Sequence, residues 1–158
     1  MYFKEFEVRW NDLDANKHLG NSTYIEYMSH TRMSLLTEMG MGIDILENND
    51  LGPIVLYEHI HYYREVLGTS PIKVSLEMAG YTENMRFVKF FHNFYDQKGK
   101  HLAHSEILFS FLKLSTRKLG VLPHEFIEKM KSIPKSESFK ILTKEDTLAY
   151  GRKSKDLV

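Results

Sequence analysis

The chain of 158 residues contains no cysteine. A disulfide framework, a thiol nucleophile and a thiolate metal site are therefore excluded. It also lacks net charge, with 21 basic side chains against 21 acidic ones. Such a balance argues against a nucleic-acid partner or a bulk membrane surface. No apolar run reaches the ~18 residues that a membrane-spanning helix requires, so no span is expected. The opening MYFKEFEVRW alternates polar with apolar residues and is not expected to be a secretion signal. Together these absences lead us to expect a reducing, cytoplasmic setting.

Hydrophobic residues make up 42% of the chain and aromatic residues 13%, enough for one folded domain with a real core. Residues 3 to 9 alternate and predict a strand. Residues 11 to 20 are rich in Asn, Asp and Gly and predict a loop. A helix should start near Asn21 or Ser22, either of which can act as N-cap. Ile25, Met28, Arg32, Leu35, Leu36 and Met39 follow a helical period up to Gly40 and Gly42. So little charge along this helix implies that other elements wrap it. A polar loop at 44 to 51 precedes four strand-like runs, roughly 53 to 64, 71 to 81, 86 to 96 and 101 to 115. Turns at Thr82-Glu83-Asn84 and Asp96-Gln97-Lys98-Gly99 make the last three an antiparallel meander. Pro123 opens a short helix over 122 to 132. The domain is expected to occupy 1–133. Residues 134–158, rich in Lys, Ser, Glu and Asp, are expected to be a charged tail, partly ordered at most. Phe139, Ile141, Leu142 and Leu148 leave open its packing on the domain or on a partner.

Chemistry concentrates between the first strand and the helix. Asp12, Asp14, Asn16, His18 and Asn21 fall within ten residues. Acid, amide and imidazole groups just before a helix N-terminus are the ingredients of a hydrolytic site. Asp14 can orient or deprotonate water, or attack a carbonyl itself. On residue type alone it is as readily an Asx-turn residue. Asn16 can donate to an oxyanion, and His18 can act as acid or base near neutral pH. The free amides at Asn21 and Ser22 create a local positive field. Gly20 permits close backbone approach to a ligand.

The run Asp14, Asn16, His18, Asn21 and Tyr24 resembles the D-x-N-x-H-x-x-N-x-x-Y pattern of hotdog-fold acyl-ACP thioesterases and their acyl-CoA relatives. Gly20 replaces the first of two asparagines usual there. The element order extends the resemblance over roughly residues 3 to 115. It implies an α+β hotdog fold, a five-stranded antiparallel sheet wrapped around one long central helix. It implies hydrolysis of an acyl-CoA or acyl carrier protein thioester, with Asp14, Asn16 and His18 at the active site and the helix start stabilising the oxyanion. Tyr63-Arg64-Glu65 resembles the family's Tyr/Arg-Arg-Glu run, which makes Glu65 a candidate base near His18, completed by a facing subunit. A solvated strand-end charge is the alternative for Glu65. Tyr24 and Arg64 are expected to touch substrate. The family often carries a cysteine after the glutamate, where Val66 stands here.

No metal or redox cofactor is expected. His59 and His61 share a strand face, but no carboxylate–histidine cluster at ligand spacing accompanies them. Phe87, Phe90, Phe91, Phe94 and Tyr95 either line an acyl tunnel or pack the core. Arg117 and Lys118 are candidates for phosphate contacts to coenzyme A or a carrier arm. An unpaired sheet edge or face predicts a homodimer or homotetramer. Two other outcomes stay open. One is a hotdog dehydratase or hydratase, which usually places Pro near its His, whereas no Pro precedes Pro53 here. The other is a non-catalytic acyl-binding module.

Overall fold

The computed structural model describes residues 1–157. Strand β1 (Tyr2–Phe6) is followed by a 3-10 turn at Trp10–Asp12 and by helix α1 (Asn21–Glu38). Then come α2 (Ile43–Asn48), β2 (Leu51–Tyr62), β3 (Ile72–Tyr81), β4 (Val88–Tyr95), β5 (His101–Lys113) and β6 (Lys118–Leu119). Helix α3 (His124–Lys131), β7 (Lys135–Ile141) and α4 (Lys144–Leu148) complete the order. The main sheet path is β1-β3-β4-β5-β2, antiparallel throughout, and it curls around α1. This is the hotdog architecture.

The α1 interior holds neither Gly nor Pro, so nothing interrupts its ladder. It ends in a Schellman motif: Gly40 has φ +70, its N–H donates to Thr37 O, and Met41 N–H donates to Leu36 O at 2.7 Å. Tyr24, Tyr27, Met28, Leu35 and Leu36 face the sheet. Two apolar clusters result. One gathers Leu36, Met78, Phe90, Phe109, Phe126 and Met130 under α1 and α3. The other gathers Val8, Tyr24, Tyr27, Met28, Val74 and Phe94 behind the loop before α1. In the β4–β5 turn, Asp96 Oδ1 accepts the amides of Lys98 and Lys100 at 2.8 Å each, and Gly99 sits at φ +78.

Several expectations change. The N-cap of α1 is Gly20, with Asn21 and Ser22 already inside the first turn. Ile25 belongs to the apolar period yet stays exposed. Residues 43 to 48 form α2 where a loop was expected, because six residues with one buried anchor, Leu46, present no readable period. The sheet has seven strands among the described residues, since β6 adds to β5 and β7 to β3.

The expected boundary at 133 falls just before β7. This strand pairs parallel to the second half of β3, along the edge whose first half β1 occupies. Its polar KSESFKI composition hides a sheet-edge role. Phe139 packs on Tyr81 with ring centroids 5.2 Å apart, and Leu142 is buried over Gly80. Regular structure stops at Leu148, and residues 149–157 carry none. A Cβ on Gly80 would lie 2.7 Å from both Leu142 Cδ2 and Lys140 O. Gly80→Ala is therefore expected to push β7 away and to cost about 1–3 kcal/mol, read from thermal unfolding. An unchanged melting temperature would mean that β7 is not part of the cooperative unit.

Candidate active site

Asp12 ties the loop before α1 to the helix. Its carboxylate accepts the Arg9 amide at 2.7 Å and the Tyr27 hydroxyl at 2.8 Å, and the Arg9 guanidinium lies 3.0 Å away. Its carbonyl accepts the Gly20 amide at 2.8 Å and the Thr23 hydroxyl at 3.1 Å. Only 3% exposed, this carboxyl is held below the ordinary aspartate range, chiefly by the hydrogen bond from Arg9. Asp12 is thus the anchor of the loop, buried away from any ligand.

Asp14 starts a tight loop over 14 to 18, with Lys17 at φ +61. Its Oδ1 accepts the amides of Asn16 at 2.8 Å and His18 at 3.0 Å. This is an Asx-type arrangement. Its Oδ2 makes no hydrogen bond among the described residues, and Asp14 lines a cavity of about 420 Å³. The turn reading and the site reading of Asp14 are therefore compatible, one for each oxygen.

The loop then pairs with the chain beyond β2. Leu19 N–H donates to Val66 O at 2.9 Å, Gly68 N–H donates to Lys17 O at 3.3 Å, and His18 bridges Leu67. This pairing brings His18 Nε2 to 3.2 Å from Glu65 Oε2 within one chain. Both side chains are well exposed, at 38% and 58%. Local backbone pairing thus brings Glu65 to His18 within one chain.

The same cavity is lined by Asn21, Tyr24, Tyr62, Tyr63, Arg64 and Val66. Tyr24 stands edge-on to Tyr62 with centroids 5.0 Å apart, and burial pushes its hydroxyl up to about 12. It is a wall that stays neutral. Asn21 and Ser22 contribute the first amides of α1, which have no acceptor inside the helix. Arg64 donates from Nη1 to His101 O at 2.8 Å and also lines an adjoining cavity of about 580 Å³ with Lys100 and Asp96.

Four expected contributors fall outside. Asn16 does not line the cavity, and its backbone amide engages Asp14. Ser22 does not line it either. Arg117 and Lys118 follow the end of β5 that pairs with Leu51, whereas the cavity lies at Tyr62, the other end of β2. That is roughly 35 Å along the strand, so neither reaches a ligand in this chain's cavity. Tyr62, Tyr63 and Lys100 were not singled out as cavity residues, although Tyr62 and Tyr63 stand directly before Arg64-Glu65.

A family model for the thioesterase-like superfamily matches residues 8–136, from just after β1 into β7. The chain belongs to that superfamily. Solved structures agree on the fold. The hypothetical protein SAV2348 from Staphylococcus aureus, determined in complex with CoA, is similar with TM-score 0.77 and 18% identity, over 98% of this chain and 94% of that one. Slr0204 from Synechocystis, a 1,4-dihydroxy-2-naphthoyl-CoA thioesterase, is similar with TM-score 0.73 and 14% identity, over 83% and 96%. YbaW from Escherichia coli, a probable thioesterase, is similar with TM-score 0.71 and 20% identity, over 84% and 98%. At these identities the likeness speaks for the fold alone. A comparison with curated protein sequences finds no match.

Among the described residues no group of three or more His, Asp or Glu side chains is placed to hold a metal ion. His59 instead packs on the Tyr150 ring at 4.0 Å. No helix is long and apolar enough to cross a membrane. Taken together, the candidate site offers one free carboxylate oxygen, a carboxylate–imidazole pair and the helix-start amide of Asn21 around a single cavity, with the Ser22 amide next along the helix. Such groups can activate water, carry a proton and hold a developing oxyanion.

Proposed function

We propose that the chain hydrolyses an acyl thioester to a free acid and a thiol. The observation that carries this reading is the meeting of Asp14, the His18–Glu65 pair and the α1 N-terminus at one cavity of about 420 Å³. The thioester carbonyl oxygen would face the Asn21 and Ser22 amides. Asp14 Oδ2 would take a proton from water as the water oxygen attacks the carbonyl carbon, or would attack that carbon itself, water then hydrolysing the mixed anhydride left after the thiol departs. Collapse of the tetrahedral species breaks the C–S bond. His18 would give its proton to the departing thiolate, with Glu65 holding the ring in place. Asn16 then serves the loop, not the reacting atoms.

Coenzyme A is the favoured thiol and a carrier protein the alternative. Arg64 and Lys100 beside the adjoining cavity supply positive charge for phosphates, the role earlier expected of Arg117 and Lys118. The SAV2348 structure with CoA lends support from the same fold. A homodimer or homotetramer is part of this reading. β2 ends the sheet with one edge unpaired, and Val55, Leu56 and Tyr62 are exposed along it.

The test is thiol release from a panel of short, long and aromatic acyl-CoAs. Turnover of at least one class is expected. No release from any CoA ester or carrier-protein thioester would turn the reading to a binding module. Glu65→Gln, which keeps the shape and removes the charge, is expected to lower kcat about tenfold and to distort the pH–rate profile. A variant indistinguishable from wild type would make Glu65 a surface charge.

A further inference from the structure

The way the active-site cavity closes bounds the acyl half of the substrate. Arg64 and Glu65 line both that cavity and the adjoining one of about 580 Å³, which Lys100 also lines. The two cavities meet at these residues, so the thiol arm with its phosphates leaves on that side. What remains for the acyl group is the side walled by Leu19, Tyr24, Tyr62 and Val66. Leu19, Tyr24 and Val66 are buried, and Tyr62 is half-exposed at the end of β2.

The Tyr24 ring is held from two sides. It stands edge-on to Tyr62 with centroids 5.0 Å apart, and tilted against Phe94 with centroids 4.9 Å apart. Phe94 is fully buried, so core lies behind Tyr24. Alternate residues of a strand share a face, which puts Ile60 and Glu58 on the face of β2 that carries Tyr62. One turn along α1 from Tyr24, Met28 is fully buried, and Ile60 packs on the same cluster. A turn further, Arg32 is almost wholly buried, with its Nη2 3.4 Å from Glu58 Oε1. Tyrosine rings, then aliphatic side chains, then an ion pair thus occupy the seam between α1 and β2 behind the cavity. An interior filled in this way admits a methylene chain only by displacing side chains, which is costly.

The helix supplies a ruler. With the thioester carbonyl at the Asn21 amide, Tyr24 lies three residues along α1, about 4.5 Å, and Met28 seven residues, about 10.5 Å. An extended chain advances roughly 1.2 Å per bond, so about four bonds reach the level of Tyr24 and about nine that of Met28.

We propose that the Tyr24–Tyr62 pair caps the acyl pocket and restricts the site to short linear acyl groups, of no more than about six carbons. This rests on the thioesterase reading and names its substrate class. Tyr24 sets the limit from the core side and Tyr62 from the strand side. Tyr62 is the member that can be removed at little cost to the fold, because half of it is already in water.

The test is kcat/KM for thiol release from straight-chain acyl-CoAs, acetyl to dodecanoyl, by wild type and two enlarged variants. Wild type is expected to peak at butyryl or hexanoyl and to fall at least ~10-fold by decanoyl, the scale of a few methylenes that a pocket cannot take. Tyr62→Ala opens the way to Ile60 and should raise the decanoyl-to-butyryl ratio of kcat/KM at least ~10-fold. Adding Ile60→Ala should move the optimum to a longer chain again. If Tyr62→Ala does not fold, Tyr62→Val keeps a good strand former in place and carries the same expectation. Equal kcat/KM for decanoyl and butyryl esters in wild type would overturn the cap and leave the thioesterase reading intact. A short-chain preference unaltered in Tyr62→Ala and in the double variant would also overturn it, since the limit would then lie elsewhere. No turnover of any CoA or carrier-protein ester by wild type would remove the thioesterase reading, and this inference with it.

Discussion

Asp14→Asn is expected to unfold at the wild-type temperature while losing at least about a hundredfold in kcat, the scale of removing a general base or nucleophile. The asparagine Oδ1 can accept the same Asn16 and His18 amides that the carboxylate accepts. The tight loop and the His18–Glu65 pair then stay in place. What disappears is the negative charge of a carboxylate that lines the cavity. Asp14→Ala is the instructive contrast. It removes the acceptor for two amides as well, and should cost about 1–2 kcal/mol of stability in addition to the activity. If Asp14→Asn hydrolyses thioesters at the wild-type rate, Asp14 is a turn residue and the water must be activated elsewhere. A melting curve and a thiol-release assay on the two variants separate these outcomes.

The largest expected loss of stability from a single polar side chain is at Asp12. Asp12→Ala takes the acceptor from the Arg9 amide, the Arg9 guanidinium and the buried Tyr27 hydroxyl together. Arg9 is largely exposed and can turn to water, so the loss is smaller than for a fully buried pair. We expect about 3 kcal/mol, mostly from the stranded Tyr27 hydroxyl and the loosened loop.

The same carboxylate sets a pH dependence. Its native value lies below the unfolded one, so the folded state binds the proton more weakly. The stabilisation is fully present above about pH 4, the ordinary aspartate value, and is lost as pH falls through the native value. Urea unfolding of wild type between pH 7 and pH 3 should therefore show a falling midpoint at the acid end. Asp12→Asn should start lower and flatten that acid limb. Parallel acid limbs in the two proteins would show that other carboxylates control the fall. Because the Asp12 carboxylate ties the loop to Arg9 and to Tyr27 of α1, the variant should also raise KM by loosening the cavity's loop wall.

The local alphabet of this protein was readable from its residues. Ile72, Val74, Leu76 and Met78 alternate with polar neighbours, and the strand they predict is β3. The α1 period and its glycine stop were equally plain, since backbone geometry converts apolar spacing directly into a buried face. The run from Asp14 to Tyr24 carried its resemblance in five positions, and the superfamily match over residues 8–136 agrees with it. Short or polar elements were not legible. α2 offers one buried anchor, and β7 reads as a tail because its pairing energy lies in backbone hydrogen bonds to β3, which composition does not record.

Distance was decided by the tertiary structure alone. His18 and Glu65 are 47 positions apart and meet because residues 17–19 pair with 66–68. Arg117 and Lys118 have the right charge, but antiparallel pairing of β5 with β2 carries them to the far end of the sheet. Asn16 has the right chemistry, but the turn that Asp14 organises leaves it outside the cavity lining. Sequence determines which groups are available and which local geometry they adopt, because those depend on a residue and its near neighbours. Which of those groups share a cavity depends on strand register and loop closure, which the packing of the whole chain selects.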